Sequence, residues 1–185
     1  FTEFGDRDIL MELRDSCEAR GIKFGLYYSI LDWNHDSQVA HGDWFTDMVS
    51  FEARENYIRD MKAQLHELVT RYEPAVLWFD GDWTYNSGAP TLHDWWTTTD
   101  GLDLYNFLMD MDSSIIVNER VIRGFNLGDY NTAEREMPSR PMSRQWEQCR
   151  NMNGSWGYNS KKMGNYKSPA YFIREMVKAV SRDGN

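Results

Sequence analysis

The sequence has 185 residues, and 20 Lys or Arg against 29 Asp or Glu give a formal net charge of −9. This acidic balance argues against a nucleic-acid-binding or membrane-surface protein, because both classes bind through patches of Lys and Arg. Hydrophobic residues make up 41% of the chain, which is enough for a core, and no apolar run approaches the ~20 residues of a membrane span. We expect a soluble globular protein without membrane insertion. Aromatic residues reach 15%, and aromatic faces among carboxylates suit the binding of sugar rings.

The first part of the chain alternates between helical and strand patterns. Apolar spacing predicts a helix over 6–20, closed by Gly21, and the short aromatic run 22–30 predicts a buried strand. A second helix is predicted over 51–72, because apolar residues recur there at helical spacing. The apolar run 75–80 then predicts another buried strand, which ends in an acidic residue.

The alternation continues in the second part of the chain. A shorter helix is predicted over 102–111 and a strand over 114–120. The polar stretch 121–154 is long for a connection and is therefore predicted to be a functional loop. A short strand over 155–158 and an amphipathic helix over 168–182 complete the chain.

Apolar strands separated by helices indicate a parallel sheet that is covered on both faces. A (β/α)8 barrel and an open doubly wound sheet both fit this pattern. Each strand ends in polar or aromatic residues, at 27–29, 80–82 and 118–120, as an active site at the mouth of a barrel requires. No glycine-rich phosphate turn favours the open sheet. The predicted fold class is therefore α/β, with a (β/α)8 TIM-barrel-like domain.

Asp80 is the first candidate for chemistry, because a carboxylate directly after Val-Leu-Trp-Phe lies at the end of a rigid strand. A cap or turn is the alternative role for this side chain. Glycoside hydrolysis usually needs a second carboxyl, and the candidates are Glu119, Glu134, Glu136 and Glu147. Arg120 could orient a carboxylate or hold sugar hydroxyls, or it could form a structural ion pair.

The histidines and cysteines indicate no bound metal and no cofactor. The four histidines are His35, His41, His66 and His93, and they show no ligand spacing such as His-x-x-x-His. Cys17 and Cys149 fit no zinc or redox motif, and we expect two free thiols.

Several motifs in a fixed order carry a resemblance to a known family. They are Gly25-Leu26-Tyr27-Tyr28-Ser29, Asp32-Trp33-Asn34-His35, Leu77-Trp78-Phe79-Asp80-Gly81-Asp82-Trp83, Val117-Asn118-Glu119-Arg120, Gly128-Asp129-Tyr130-Asn131-Thr132-Ala133-Glu134, Trp146-Glu147, Ser155-Trp156-Gly157-Tyr158-Asn159 and Val180-Ser181-Arg182-Asp183-Gly184-Asn185. The sequence resembles the α-L-fucosidases of glycoside hydrolase family 29 over essentially its whole length.

The resemblance implies a retaining enzyme with a (β/α)8 catalytic barrel. It assigns Asp80 as the nucleophile and Glu134 as the acid/base, with Glu147 as the reserve candidate for the acid/base. The side chains that it implies around the fucose ring are Tyr27, Trp78, Arg120 and Trp156. The reaction would be exo-acting hydrolysis of terminal α-L-fucosyl residues, from an oligosaccharide or glycoconjugate, by double displacement.

The resemblance also implies that residues 1–185 are an internal piece of one catalytic domain, truncated at both ends and holding about half of the barrel. The sugar-binding histidines of the family would lie on earlier strands. Periplasmic, secreted and lysosomal locations are all compatible with the family. Two alternatives remain open: a non-catalytic carbohydrate-binding protein that stacks sugars on Trp33, Trp83 and Trp156, and an inactive fragment of a fucosidase.

Overall fold

The computed structural model describes residues 5–42 and 44–185, and the chain divides into two compact units after Gly128. We call residues 1–128 unit 1 and residues 129–185 unit 2. No helix among the described residues is long and apolar enough to cross a membrane. Both cysteines lie in the described part of the chain and are free thiols. That residues 1–185 form one truncated barrel domain stays a prediction.

Unit 1 has a three-stranded parallel sheet in the order β1-β4-β7, and its strands alternate with helices. Its elements are α1 (Ile9–Glu18), β1 (Gly25–Ser29), β2 (Gln38–His41), β3 (Phe45–Met48), α2 (Phe51–Tyr72), β4 (Val76–Asp80), β5 (Tyr85–Asn86), β6 (Trp96–Thr97), α3 (Thr98–Met111), β7 (Ile116–Val117) and a 3₁₀ helix (Glu119–Val121). Strands β2 and β3 form an antiparallel hairpin, and β5 pairs with β6 in parallel. The α/β class predicted from the sequence is confirmed.

The longest helix, α2, has the bounds that the sequence predicts, because both of its ends are capped. The Ser50 hydroxyl accepts a hydrogen bond from the Ala53 amide at the N-terminus. At the C-terminus, Glu73 adopts a left-handed conformation with φ of 47°. The following helix, α3, begins four residues before the prediction because Thr97 and Asp100 form a capping box there.

Strand β4 is apolar up to its last residue, Asp80, and its two faces have different roles. Leu77 and Phe79 are fully buried in the core formed with α2 and α3. Val76, Trp78 and Asp80 lie on the opposite face, because side chains alternate along a strand. Burying each large apolar side chain stabilises the fold by about 1.5–3 kcal/mol. The packing of Leu77 and Phe79 therefore fixes the backbone of β4, and with it the positions of the side chains on the opposite face.

Unit 2 is built on two short strands, a 3₁₀ helix and one long helix. These elements are β8 (Asn131–Glu134), β9 (Trp146–Cys149), the 3₁₀ helix Ser160–Lys162 and α4 (Pro169–Val180). Strands β8 and β9 pair in parallel. The buried indole of Trp146 donates a hydrogen bond to the Arg182 carbonyl at 2.9 Å. The end of the chain is thereby fixed against β9.

Two sequence predictions in unit 2 differ from the structure. The stretch 121–154, predicted to be a loop, contains β8 and β9. The strand predicted over 155–158 is wrong: the segment is irregular. Just before it, the Asn151 side chain accepts from the Gly154 amide and Asn153 accepts from the Ser155 amide. Such side-chain hydrogen bonds stabilise turns at the expense of a strand ladder.

The apolar stripe predicted on the first helix is only partly used. α1 is shorter than the predicted 6–20, and it begins where the Asp8 carboxylate accepts from the Met11 amide. Ile9 and Leu13 on α1 are exposed. The last helix, α4, is also shorter than predicted and exposes Ile173, Met176, Val177 and Val180.

Candidate active site

The candidate site lies on the side of the parallel sheet that faces away from the core. The register between β1 and β4 places Tyr27 beside Trp78 and Ser29 beside Asp80. The rings of Tyr27 and Trp78 stack with centroids 5.6 Å apart and an interplanar angle of 21°. Since alternate residues of a strand share a face, these four side chains lie on one face. We call this set the site face.

Asp80 is held at the end of β4 by two guanidinium groups. Its Oδ1 atom accepts a hydrogen bond from Arg120 at 2.9 Å and another from Arg123 at 2.8 Å. Its Oδ2 atom is 3.3 Å from the hydroxyl of Tyr27. The carboxylate is mostly buried, with 15% of its side chain exposed. Charge-assisted bonds of this kind fix both the position and the orientation of a carboxylate.

Arg120 links the carboxylate to the aromatic part of the site face. Its side chain is buried, and its guanidinium carbon lies 4.6 Å from the centre of the Trp78 ring. A cation over an indole face is a favourable arrangement. The same guanidinium therefore contacts both Trp78 and Asp80.

Asn118 positions the turn that carries Arg120. Its side chain accepts from the Phe79 amide and donates to the Phe79 carbonyl, both at 2.9 Å, and it is fully buried. These two bonds occupy the place of a further β4–β7 ladder step, so the backbone of β7 can leave the sheet after Val117. The 3₁₀ helix then begins at Glu119. Gly128 packs against this point, where an added Cβ would lie 2.5 Å from the Asn118 carbonyl oxygen.

A second acid, Asp82, follows Asp80 by two residues and is also in contact with Arg123. Its Oδ2 accepts from the Arg123 amide at 2.7 Å, and its Oδ1 is 3.4 Å from Nε of Arg123. Burial raises the pKa of Asp82 to about 6, although the positive charge of Arg123 acts in the opposite direction. Arg123 thus bridges Asp80 and Asp82. Gly81, between the two acids, has φ of +83°, and an added Cβ would lie 2.7 Å from the Leu31 amide nitrogen.

Tyr27 remains a hydrogen-bond donor over the physiological range. Partial burial of the side chain and the negative charge of Asp80 raise the pKa of Tyr27 to about 12. The phenol therefore stays protonated at neutral pH. It can donate to Asp80 or to a bound ligand.

Three indoles lie close together: Trp33 follows β1, Trp83 follows β4, and Trp44 lies between β2 and β3. Trp33, Trp44 and Trp83 lie with ring centroids 6.3–6.4 Å apart. Trp33 and Trp44 are more than half exposed, at 54% and 60%. We call these three residues the tryptophan cluster. Exposed aromatic groups of this size are typical of binding surfaces.

The remaining predicted site residues belong to unit 2. Glu134 ends β8 and is exposed, while Glu147 lies on β9 in register with Thr132. Since Thr132 and Glu134 share a face of β8, Glu134 and Glu147 lie on the same face of the strand pair. Trp156 is half-exposed, with the guanidinium of Arg135 4.9 Å from its ring centre.

The structure brings together four of the predicted site residues, namely Tyr27, Trp78, Asp80 and Arg120. Of the other carboxyl candidates, Glu119 begins the 3₁₀ helix. Glu136 is exposed, and its carbonyl accepts from the Gln148 side chain. His35 packs against Tyr57 with ring centroids 4.9 Å apart.

Sequence reasoning missed Arg123, and it named Asn118 at a strand end without assigning it a role. Arg123 follows the 3₁₀ helix after the extended residue Ile122, so no helical spacing in the sequence predicts its contact with Asp80. Asn118 precedes Arg120 at the end of a strand, but its role depends on the backbone of Phe79, which lies far away in the sequence.

Unit 1 has an α/β fold, and its parallel strands end at an oriented carboxylate beside two stacked aromatic rings. This type of site suits a sugar ring. The family model described as Alpha-L-fucosidase matches residues 2–185. The chain is 33% identical to the plasma α-L-fucosidase of Rattus norvegicus, over 97% of this chain and 38% of that protein. The chain therefore belongs to the α-L-fucosidase family, although it spans only 38% of the length of the rat relative.

Solved structures agree with this membership. The Thermotoga maritima α-fucosidase in complex with a mechanism-based inhibitor has a TM-score of 0.67 and 26% identity, covering 97% of this chain and 38% of that one. The α-L-fucosidase AlfC from Lactobacillus casei in complex with its α-L-fucose product has a TM-score of 0.69 at 20% identity, over 97% of this chain and 56% of that one. This second likeness is one of fold alone.

Proposed function

We propose that this chain is part of the catalytic (β/α)8 barrel of an exo-acting, retaining α-L-fucosidase, which removes terminal α-L-fucosyl residues from fucosylated glycans. The observation that carries the proposal is the carboxylate of Asp80, fixed by two arginines on the face that bears Tyr27 and Trp78. Family membership supports the substrate class.

Asp80 is the nucleophile in this proposal. Its Oδ1 atom is occupied by the hydrogen bonds from Arg120 and Arg123, whereas its Oδ2 atom faces the longer contact from Tyr27. We therefore assign Oδ2 as the attacking atom. Its lone pair forms a bond to the anomeric carbon, the glycosidic carbon–oxygen bond breaks, and the electron pair passes to the leaving oxygen. Oδ1 keeps its hydrogen bonds in the resulting ester.

The site face provides the contacts to the sugar. Trp78 and Tyr27 offer aromatic surface to the apolar C–H groups of the fucose ring, and Arg120 offers N–H donors to its hydroxyl oxygens. Trp156 in unit 2 is the fourth residue proposed to contact the sugar. The tryptophan cluster, in which Trp33 follows β1 and Trp83 follows β4, is proposed to contact the rest of the glycan.

Glu134 is the proposed acid/base, with Glu147 in reserve. The first displacement needs a proton on the leaving oxygen, and the second needs a base to take a proton from water. The two glutamates lie on the same face of neighbouring strands, so either of them could present its carboxyl on that side. The released fucose then carries the configuration of the substrate.

Barrel closure is part of the proposal. The exposed apolar residues of α4 include Met176 and Val180, at 68% and 70% exposure, and α1 exposes Leu13. Apolar stripes on helices normally face a neighbouring layer. The chain covers 38% of its rat relative, and the strands and helices of the rest of such a domain would cover these stripes.

A trapping experiment tests the nucleophile. In the complete protein, a 2-deoxy-2-fluorofucosyl fluoride should lose fluoride and leave a fluorofucosyl ester on Asp80, located by mass spectrometry of the peptide. Asp80→Asn should abolish the label, whereas Asp82→Asn, two residues away, should still be labelled. A label on Asp82, or hydrolysis that gives the inverted anomer by NMR, would refute the assignment.

A second experiment distinguishes the acid/base candidates. Glu134→Ala should reduce turnover strongly on a natural fucosylated glycan and less on an aryl fucoside with a good leaving group, and added azide should restore activity as a fucosyl azide forms. Glu147→Ala is the matched variant from the same face of β8–β9. If Glu147→Ala showed this substrate-dependent loss and azide rescue, and Glu134→Ala did not, Glu147 would be the acid/base.

The exposed tryptophan cluster also favours the second candidate function, that of a non-catalytic carbohydrate-binding protein. That function predicts saturable glycan binding with no fucose released and no label from the fluorofucosyl fluoride. If the complete protein gave this result, the hydrolase proposal would fail while the sugar-binding surface remained.

A further inference from the structure

A compact group of metal-ligand side chains lies in unit 1, on elements that the proposed mechanism does not use. His41 ends β2, Asp47 lies on β3, and His93 belongs to the loop before β6. Their ligand atoms all lie within 4.8 Å of one another. We call these three residues the His–Asp–His cluster.

The backbone holds the three side chains together. Antiparallel pairing places Val39 opposite Asp47, and His41 follows Val39 by two residues, so His41 and Asp47 share a face of the hairpin. The loop that carries His93 is fixed along β3 on both sides of Asp47. The Met48 amide donates to the Leu92 carbonyl at 2.7 Å, and the Trp95 indole donates to the Thr46 carbonyl at 3.1 Å.

The cluster geometry is close to that of a bound ion. Nδ1 of His93 and one oxygen of Asp47 share a hydrogen bond of 2.6 Å, which the ion would replace, and Nδ1 of His41 is 3.6 Å from the other oxygen. Donor atoms that bind one zinc ion at about 2.0–2.2 Å are separated by roughly 3–3.6 Å, so small side-chain rotations would admit the ion. Asp94 adds a carboxylate 3.8 Å from Nε2 of His93, in the place where an outer carboxylate orients a ligating imidazole.

We propose that His41, Asp47 and His93 bind a divalent transition-metal ion of the zinc class. Two imidazoles and one carboxylate favour Zn²⁺, Cu²⁺, Ni²⁺ or Co²⁺ over Mg²⁺ and Ca²⁺, which prefer all-oxygen sites. The side chains are 38–59% exposed, so water completes the coordination. The ion joins the β2–β3 hairpin to the loop at 91–94, and thereby limits opening of the hairpin whose turn carries Trp44.

The histidine spacing along the chain does not reveal this site, because its ligands are brought together by hairpin pairing and by a distant loop. The proposal is independent of the proposed hydrolysis, since Asp80 and its arginines do not take part in it.

Zinc titration of the complete protein, stripped of metal with a chelator, tests the proposal. Isothermal titration calorimetry should show one equivalent of Zn²⁺ that is lost, or bound at least tenfold more weakly, in His93→Ala and in His41→Ala. His66→Ala, a histidine on α2 outside the cluster, should bind zinc as the unaltered protein does. Mg²⁺ at the same concentration should not compete.

Circular dichroism of each variant checks the fold, and a spectroscopic measurement gives a second criterion. Cu²⁺ added to the stripped protein should give an electron paramagnetic resonance signal with coupling to two imidazole nitrogens, and to fewer in His93→Ala. Equal zinc binding by the unaltered protein and both histidine variants would overturn the proposal, and so would no binding at all.

Discussion

Replacement of Asn118 by alanine should destabilise the protein far more than a similar replacement at the surface. The Asn118 side chain makes two hydrogen bonds to the backbone of Phe79, each 2.9 Å long, and is fully buried. In Asn118→Ala the amide and carbonyl of Phe79 lose these partners in a place that water does not reach. Each buried group left unsatisfied costs about 1–3 kcal/mol. The expected loss in the free energy of unfolding is therefore about 2–6 kcal/mol.

Asn86 provides the matched control. Its side chain also makes one bond as acceptor, from the Gly88 amide, and one as donor, to the Ala89 carbonyl, each 2.8 Å long. These bonds lie at the surface, where water can replace the lost partner. Asn86→Ala should therefore lose less than about 1 kcal/mol. The two variants remove the same chemical groups and differ in burial.

Denaturant unfolding of both variants and the parent protein gives the two losses, and hydrogen exchange gives a local measurement. The Phe79 amide should exchange faster in Asn118→Ala by more than global destabilisation explains. The Ile30 amide, which donates to the Asp80 carbonyl, is the internal reference. Equal losses for Asn118→Ala and Asn86→Ala, or an unchanged Phe79 amide, would refute the view that Asn118 replaces a ladder step.

Three shorter predictions follow from other contacts. Burial raises the pKa of Asp82 to about 6 from its ordinary 3.8. The contribution of protonated Asp82 to the free energy of unfolding is therefore complete below pH ~3.8 and is lost as the pH rises through ~6. In Asp82→Asn, the free energy of unfolding measured against pH should lack this decline of about 2–3 kcal/mol. Arg54→Ala should cost about 3–5 kcal/mol on thermal or urea unfolding, because it leaves Asp100 and the Trp95 carbonyl without this buried partner. Arg71→Ala breaks exposed pairs and should leave the unfolding midpoint almost unchanged. Trp33→Ala should raise KM for a fucosylated glycan several-fold and leave KM for an aryl fucoside within about twofold, since loss of one stacked ring costs ~1 kcal/mol; equal changes on both substrates would count against contact between the tryptophan cluster and the glycan.

Long elements with strong periodicity could be predicted from the sequence. The spacing of apolar residues on α2 and the proline after it were enough to predict where that helix begins and ends. The continuous apolar run was enough to predict the position of β4. The position of Asp80 at the end of β4 followed directly. These features depend on local sequence and on side-chain periodicity, which can be read without knowing what each element packs against.

Short paired elements could not be predicted in the same way. Strands β2 and β3 have four residues each, and β8 and β9 are equally short and largely polar. Their stability comes from backbone pairing with a partner rather than from their own apolar pattern. The roles of Asn118 and Arg123 also depend on contacts across about 40 positions of sequence. No local pattern records such contacts.

The apolar character of β4 explains why sequence reasoning found Asp80 but not the shape of its surroundings. A strand that is apolar throughout is expected to be covered by helices on both sides. Among the residues that the structure describes, the side with Leu77 and Phe79 is the one that packs into the helical core. On the other side, Trp78 is covered in part by the ring of Tyr27 and the guanidinium of Arg120. Trp78 lies next to the oriented carboxylate of Asp80. In the proposed function, the C–H face of a sugar packs against the part of the indole that Tyr27 and Arg120 leave uncovered. The apolar run therefore reflects a core on one face of the sheet and the proposed sugar-binding surface on the other.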